Sequence, residues 1–258
     1  MKTPVVAVYS LKGGVGKTTL AVNLAWAAAV LSGRRTLLWD LDAQSAATFL
    51  LGHDGDGKKA EAAIRKGGDP ARLVVPTAIE GLELLPADAS LRDLDVTLHD
   101  LEKKKRLARI AEELGGPPHG RQVRELIVID CPPGLTDTSD QVLRAADLVI
   151  VPVIPSPLAQ RALATVAEHV AGRKAFGAPL LPVFSMTDRR RALHREALAA
   201  EPDWPVIPMA SAFEAMSLHR APLGAFSSRH SPGVQSVAQV WSKVEQALAK
   251  WWPEEHVD

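Results

Sequence analysis

Lys12-Gly13-Gly14-Val15-Gly16-Lys17-Thr18-Thr19 decides how the rest of this chain is read. An apolar run, Val5 to Tyr9, precedes it and an alanine-rich segment, Leu20 to Leu31, follows, which is the strand, loop, helix context of a phosphate-binding loop. Its glycines let the backbone curl until successive N–H groups point at phosphate oxygens, and the helix behind adds its positive end. Lys17 then reaches the β and γ phosphates, and the Thr18 hydroxyl is placed for Mg²⁺. Gly13, Gly14, Val15, Gly16 and Thr19 complete the loop's expected nucleotide-binding set.

Outward from the loop, Thr36 to Trp39 reads as a second buried strand and ends in Asp40-Leu41-Asp42-Ala43-Gln44. Acids at the carboxyl end of an apolar parallel strand lie where open α/β sheets place their chemistry, although Asp42 also suits the cap of a helix beginning near Gln44. Leu126 to Ile129 leads into Asp130 and Cys131-Pro132-Pro133-Gly134. Leu148 to Ile154, Leu180 to Met186 and Val206-Ile207 supply further strands. Helices are expected from Pro155-Ser156-Pro157 to Ala171, from a Thr187-Asp188 cap to about Ala200, and from Gly233 to Trp252. This alternation argues for an α/β fold with a doubly wound, mostly parallel sheet flanked by helices, read as one domain spanning residues 1–258. Between these elements, residues 52–70 read as loop around a short helix, and Leu73–Val75 with Leu82–Leu85 as a small hairpin or two short strands. Ser90 to Leu114 reads as one long helix or two joined ones, broken by Gly115-Gly116-Pro117-Pro118. Its Lys103-Lys104-Lys105-Arg106 run is either a solvated face or a partner or DNA contact.

With 258 residues, 47% of them hydrophobic, the chain has enough material for a substantial core. Thirty basic residues balance thirty acidic ones, so any DNA-binding surface must be a local patch. The single cysteine, Cys131, excludes an internal disulfide framework and fits a reducing cytoplasm. No apolar stretch approaches the roughly 20 residues of a membrane span, and the acidic tail Glu254-Glu255 argues against a lipid anchor, so no membrane partner is expected. From Arg173 to Arg195, six basic residues (Arg173, Lys174, Arg189, Arg190, Arg191 and Arg195) stand against one acid, Asp188. Read on a helix, Arg191 and Arg195 share a face, as do Arg190 and His194. The segment is either a polyanion surface or an arginine-rich solvated helix.

The second lysine at the head of the loop, Lys12, resembles the deviant Walker A motif of the ParA/MinD superfamily of P-loop ATPases, closest to partition ATPases of the ParA/Soj type. Asp40-x-Asp42 resembles that family's next motif, with Ala43 where a proline is usual, and Asp130 with its Pro-Pro resembles the Walker B motif and second switch. The resemblance covers nearly the whole chain. It implies ATP and Mg²⁺ as cofactors, Lys12 acting across a homodimer on the partner's nucleotide, Asp42 positioning the attacking water, and Thr18, Asp40 and Asp130 organising the metal. It further implies nucleotide contact at Pro208, and binding to double-stranded DNA without sequence preference through Arg190, Arg191, Arg195 and Arg220. A ParB-like or cargo-bound adaptor would stimulate a slow ATPase, in the cytoplasm on the nucleoid. Within the superfamily, the lone cysteine argues against iron–sulfur carriers, the lone Tyr9 against tyrosine kinases, and the tail against membrane-bound division-site selectors. Three other readings stay open: positioning of a protein cargo, an ATP-gated protein switch that never touches DNA, and a metabolic ligase.

Overall fold

Val5 and Ala7 face one side of their strand and Val6 and Val8 the other, and all four are buried. A strand buried on both faces belongs to a parallel sheet covered by helices on each side. The computed structural model, which describes residues 2–55, 57, 59–65, 68–100, 105–116, 123–173 and 176–251, has that architecture. Its strands are β1 (Val5–Val8), β2 (Thr36–Asp40), β3 (Val75–Pro76), β4 (Leu82–Leu85), β5 (Leu126–Asp130), β6 (Leu148–Val153), β7 (Leu180–Thr187) and β8 (Val206–Pro208). They lie in the order β3-β4-β2-β5-β1-β6-β7-β8, and only the β3–β4 pairing is antiparallel. The short strands near residue 80 are therefore a hairpin, and it begins at Val75 because Pro70–Leu73 forms a 3-10 turn.

The first helices are α1 (Lys17–Leu31), α2 (Ala46–Leu50), α3 (Ala60–Ile64), α4 (Leu94–Asp100), α5 (Arg106–Gly115) and α6 (Asp137–Ala145). There follow α7 (Pro157–Ala171), α8 (Ala192–Ala200), α9 (Ser211–Glu214), α10 (Met216–His219), α11 (Leu223–Phe226) and α12 (Pro232–Trp251). Helices α3 to α7 cover the face carrying Val5, Ala7, Trp39 and Ile129, while α1, α11 and α12 cover the face carrying Val6, Val8, Leu38 and Val128. Trapped between sheet and α12, α1 is apolar nearly all round, with Leu24 and Trp26 buried. Its polar exception, Asn23, donates to the Thr19 carbonyl and accepts from the Leu223 backbone N–H. That bond ties the C-terminal segment to the helix carrying the phosphate loop.

Several expectations change in three dimensions. The stretch from Ser90 to Leu114 is a 3-10 turn followed by α4 and α5, two helices rather than one. Of the basic run near its middle, Arg106 donates to the Ile64 and Arg65 carbonyls at the end of α3, so it fastens a helix end. Lys103, Lys104, Pro117, Pro118, Lys174, Trp252 and the acidic tail lie outside the described residues. Asp188 does not cap α8: a turn intervenes, Arg191 holds the N-cap position, and the Asp188 carboxylate is taken by Arg190. Arg190 and Arg191 consequently precede the helix instead of riding on its face. Among the described residues, no helix is long and apolar enough to cross a membrane.

Close approach of α11 to α1 requires Gly224, where an added Cβ would stand 2.1 Å from a ring carbon of Trp26. Gly224→Ala is expected to lower stability by about 1–3 kcal/mol through overpacking. Urea denaturation followed by tryptophan fluorescence measures this, and an unchanged midpoint would contradict the packing described.

Candidate functional site

The phosphate loop leaves the carboxyl end of β1, in the middle of the sheet. Gly14 and Gly16 adopt positive φ, 71° and 86°, conformations that suit glycine. A side chain at Gly16 would also stand 2.9 Å from Ser185 Oγ, whose hydroxyl donates to the Val15 carbonyl at 2.8 Å. The end of β7 thus braces the loop. Lys17 is buried and its Nζ donates to the Lys12 carbonyl at 3.1 Å, folding the ammonium under the loop. Lys12 is exposed at the mouth, its Nζ donating to the Leu158 carbonyl in the first turn of α7.

Parallel register brings the acids together. Asp130 pairs with Val8 on one side and Asp40 on the other, so β5 sets its carboxylate between the phosphate loop and the Asp40-x-Asp42 turn. Asp40 is buried but satisfied: Oδ2 accepts from the Thr48 backbone N–H and hydroxyl, and Oδ1 from the Asp42 N–H. Burial still pushes its pKa up to about 6. Asp42 accepts from the Gln44 N–H at 2.9 Å, closing a turn ahead of α2; it does not cap a helix, because α2 starts at Ala46 behind Ser45.

Asp130 differs from both. It is wholly buried, and no donor reaches either carboxylate oxygen in hydrogen-bonding geometry. Burial raises its pKa well above the usual carboxylate range, and the charge of Asp40 adds to the rise. The nearby Thr18 hydroxyl and Lys17 ammonium pull the other way without relieving it. A buried carboxylate beside a phosphate loop could hold Mg²⁺, an ion that takes one or two protein oxygens and completes its shell with phosphate and water. Among the described residues, no group of three or more His, Cys, Asp or Glu could hold a metal ion.

The loop after β5 is fastened at both ends. Tyr9, buried with its phenol pushed up to about 12, donates to the Gly134 carbonyl at 2.8 Å, and Thr136 with Ser139 forms a capping box at the start of α6. On the opposite side of the loop, a cavity of about 180 Å³ is lined by Gly16, Thr19, Asn23, Pro208 and Phe213, among others. Pro208 thus lines a cavity shared with the phosphate loop. Nothing in the motifs assigns Ser185, Asn23 or Tyr9 to the site; of these only Asn23, a lone amide in an apolar helix, leaves a mark in the sequence.

The arginines do not form one patch. Arg173 precedes β7 and is ion-paired with Asp140 of α6, whereas Arg189, Arg190, Arg191 and Arg195 follow that eight-residue strand, roughly 25 Å further along. Arg220 packs elsewhere, with its guanidinium 4.5 Å over the Phe49 ring and 2.8 Å from Asp54.

A family model described as an AAA domain matches residues 3–175. The chromosome partitioning protein ParA of Caulobacter vibrioides is 31% identical over 201 residues, covering 74% of this chain and 73% of that protein. The sporulation initiation inhibitor protein Soj of Bacillus subtilis is 34% identical over 152 residues, 58% of this chain and 57% of Soj. Among solved structures, a complex of Cyanothece McdA, as an aspartate-to-alanine variant, with ATP matches with a TM-score of 0.74 over 96% of this chain and 97% of that one, a likeness of fold at 21% identity. Cobyrinic acid a,c-diamide synthase from Mycobacterium smegmatis, with a bound ATP analog and magnesium, is 28% identical with a TM-score of 0.74, covering 97% and 96% of the two chains.

Because the folded-state pKa of Asp130 lies above the unfolded one, the stability it contributes is full below about pH 4 and is lost as pH rises through the folded value. In Mg²⁺-free buffer at pH 8, Asp130→Asn is expected to melt at a higher temperature than the parent, with the gap closing toward pH 4. A variant less stable than the parent at pH 8 would show that the carboxylate is satisfied after all.

Proposed function

We propose, from the premise that this chain belongs to the ParA/MinD-type P-loop ATPases, that it segregates or positions a cargo through an ATP-gated dimerisation cycle. Membership rests on the family match over residues 3–175 and on ParA at 31% identity over 74% of the chain. The nucleotide phosphates lie on the N–H groups of residues 13–19, and the base enters the cavity beside Pro208 and Phe213. Lys17 exchanges the Lys12 carbonyl for the β and γ phosphates. Thr18 and Asp130 would hold Mg²⁺, which when bound neutralises phosphate charge, while Asp40 holds the adjoining strand end and α2 in place. Asp42 orients the attacking water. Lys12, free to leave α7, reaches the nucleotide of a second copy of the chain, so the catalytic set is complete only in the dimer.

In this cycle the ATP dimer binds double-stranded DNA without sequence preference through the arginines after β7, placing it on the nucleoid in the cytoplasm. A ParB-like or cargo-bound adaptor then triggers hydrolysis and release. The observation that carries the reading is the carboxylate of Asp130, buried beside the phosphate loop with no hydrogen-bond donor in good geometry, which supports a cation and a nucleotide bound there. A second reading, an ATP-gated protein switch that never touches DNA, is favoured by the Arg190–Asp188 ion pair, which subtracts one cation from the basic turn.

Binding to random-sequence duplex DNA, measured with ATP, a non-hydrolysable analogue, ADP or no nucleotide across a salt series, separates the two. Tight binding only with the triphosphate, weakening steeply with salt, is expected. No binding in any state would leave the protein switch. Lys12→Ala is expected to keep nucleotide affinity, lose the ATP-dependent dimer in light scattering and lower adaptor-stimulated turnover at least about a hundredfold. An ATP-dependent dimer of unchanged stability would refute action in trans.

A further inference from the structure

We infer that Thr48 is a positioning residue for ATP hydrolysis. Its buried hydroxyl fixes the Asp40 carboxylate and, through it, the turn that carries Asp42. This role rests on the reading above that Asp42 orients the attacking water.

Helix α2 cannot hold its own place. Its five residues are far below the length at which a helix is stable by itself. The N-cap residue, Ser45, sits in the left-handed region at φ 54° and makes no side-chain cap bond. Its position therefore comes from tertiary contacts. Ala47 and Thr48 are wholly buried, and at the far end Arg220 lies over the Phe49 ring and donates from Nε to the Phe49 carbonyl at 3.2 Å. Of these residues, Thr48 is the one bonded to Asp40.

The Thr48 hydroxyl is used in both directions, which fixes its polarity. It accepts from the Ala87 backbone N–H at 2.9 Å, a group that can only donate, and its single proton goes to Asp40 Oδ2 at 2.8 Å. The Thr48 backbone N–H meets the same oxygen at 2.9 Å. Asp40 Oδ1 in turn accepts the Asp42 N–H at 3.1 Å, and the Asp42 carboxylate closes its own turn on the Gln44 N–H at 2.9 Å. A carboxylate is planar and rigid, so two donors converging on Oδ2 also fix the direction of Oδ1, and with it the Asp42 backbone. The chain Ala87, Thr48, Asp40, Asp42 thus runs from the segment after β4, across the end of β2, to the turn, and each bond polarises the next. Thr48→Val, close in shape, leaves the Ala87 N–H without this acceptor and Oδ2 with the backbone donor of Thr48 only, so the carboxylate is free to turn.

Steady-state turnover of ATP with Mg²⁺ by the full chain tests this role, with affinity for a non-hydrolysable ATP analogue measured alongside and the folding of each variant checked by near-ultraviolet circular dichroism. Thr48→Val is expected to lower kcat roughly 10- to 100-fold while analogue affinity stays within about threefold, because Asp42 is misplaced and the phosphate loop is not. Thr48→Ser keeps the hydroxyl and should retain the parent kcat; a helix that needed only the bulk of the side chain would favour Thr48→Val instead. In an Asp42→Ala background, Thr48→Val should cost nothing further, since the residue through which Thr48 acts is gone. Without nucleotide, the Asp42 N–H should exchange with solvent deuterium at least about tenfold faster in Thr48→Val than in the parent or in Thr48→Ser. Thr48→Ala, which removes the hydroxyl without adding bulk, replaces Thr48→Val in every arm if the latter does not fold. The role is overturned if Thr48→Val turns over ATP as the parent does, if Thr48→Ser loses as much as Thr48→Val, or if the loss persists in the Asp42→Ala background. A parent protein that hydrolyses no ATP overturns instead the ATPase reading on which the role rests.

Discussion

A carboxylate buried without a hydrogen-bond donor is among the least favourable groups a protein interior can hold, and this fold is arranged around one. Asp130 sits at the end of a wholly apolar strand flanked on both sides by parallel neighbours, so it cannot turn toward water. Its position is set by backbone register, Val8 on one side and Asp40 on the other, and that same register brings the phosphate loop and the Asp40-x-Asp42 turn to one edge. The surrounding bonds hold the arrangement still: Thr48 on Asp40, Tyr9 on Gly134, Ser185 on Val15. A buried carboxylate with a raised pKa beside the phosphate loop is a group that a bound cation would stabilise.

The C-terminal third is structurally part of this site although the family match ends at residue 175. Pro208 and Phe213 line the cavity beside Gly16 and Thr19, and α12 packs along α1 with Trp241 Nε1 donating to Ser32 Oγ at the far end of that helix. Asn23 bonds toward both the phosphate loop and Leu223. One buried amide in an otherwise apolar helix thus touches Thr19, Met216 of α10 and Leu223 of α11.

Charge shows the gap between a linear and a spatial description most clearly. Counted along the chain, Arg173 to Arg195 is a basic block; in space the block is cut by the length of β7, Arg173 belongs to Asp140, and Arg190 belongs to Asp188. Arg220, which sequence resemblance grouped with these, stacks on Phe49 beside Asp54 and steadies the segment after α2. What a basic block presents depends on which of its cations already have a carboxylate partner.

Sequence alone determined the fold class, the phosphate loop and the acids at the ends of β2 and β5, because each is encoded locally. Glycine spacing specifies a loop, a continuous apolar run specifies a buried parallel strand, and an acid that ends such a run has only the carboxyl edge to occupy. The pairing of Asp130 with Asp40, the bracing of the loop by Ser185, the joining of Pro208 to the phosphate site and the split among the arginines were decided only by tertiary structure. These depend on strand order and register across separations of up to about 200 residues, and on which of several adjacent, chemically identical guanidinium groups finds a carboxylate within reach. Local composition carries no information about either, since both are settled by the geometry with which distant segments pack.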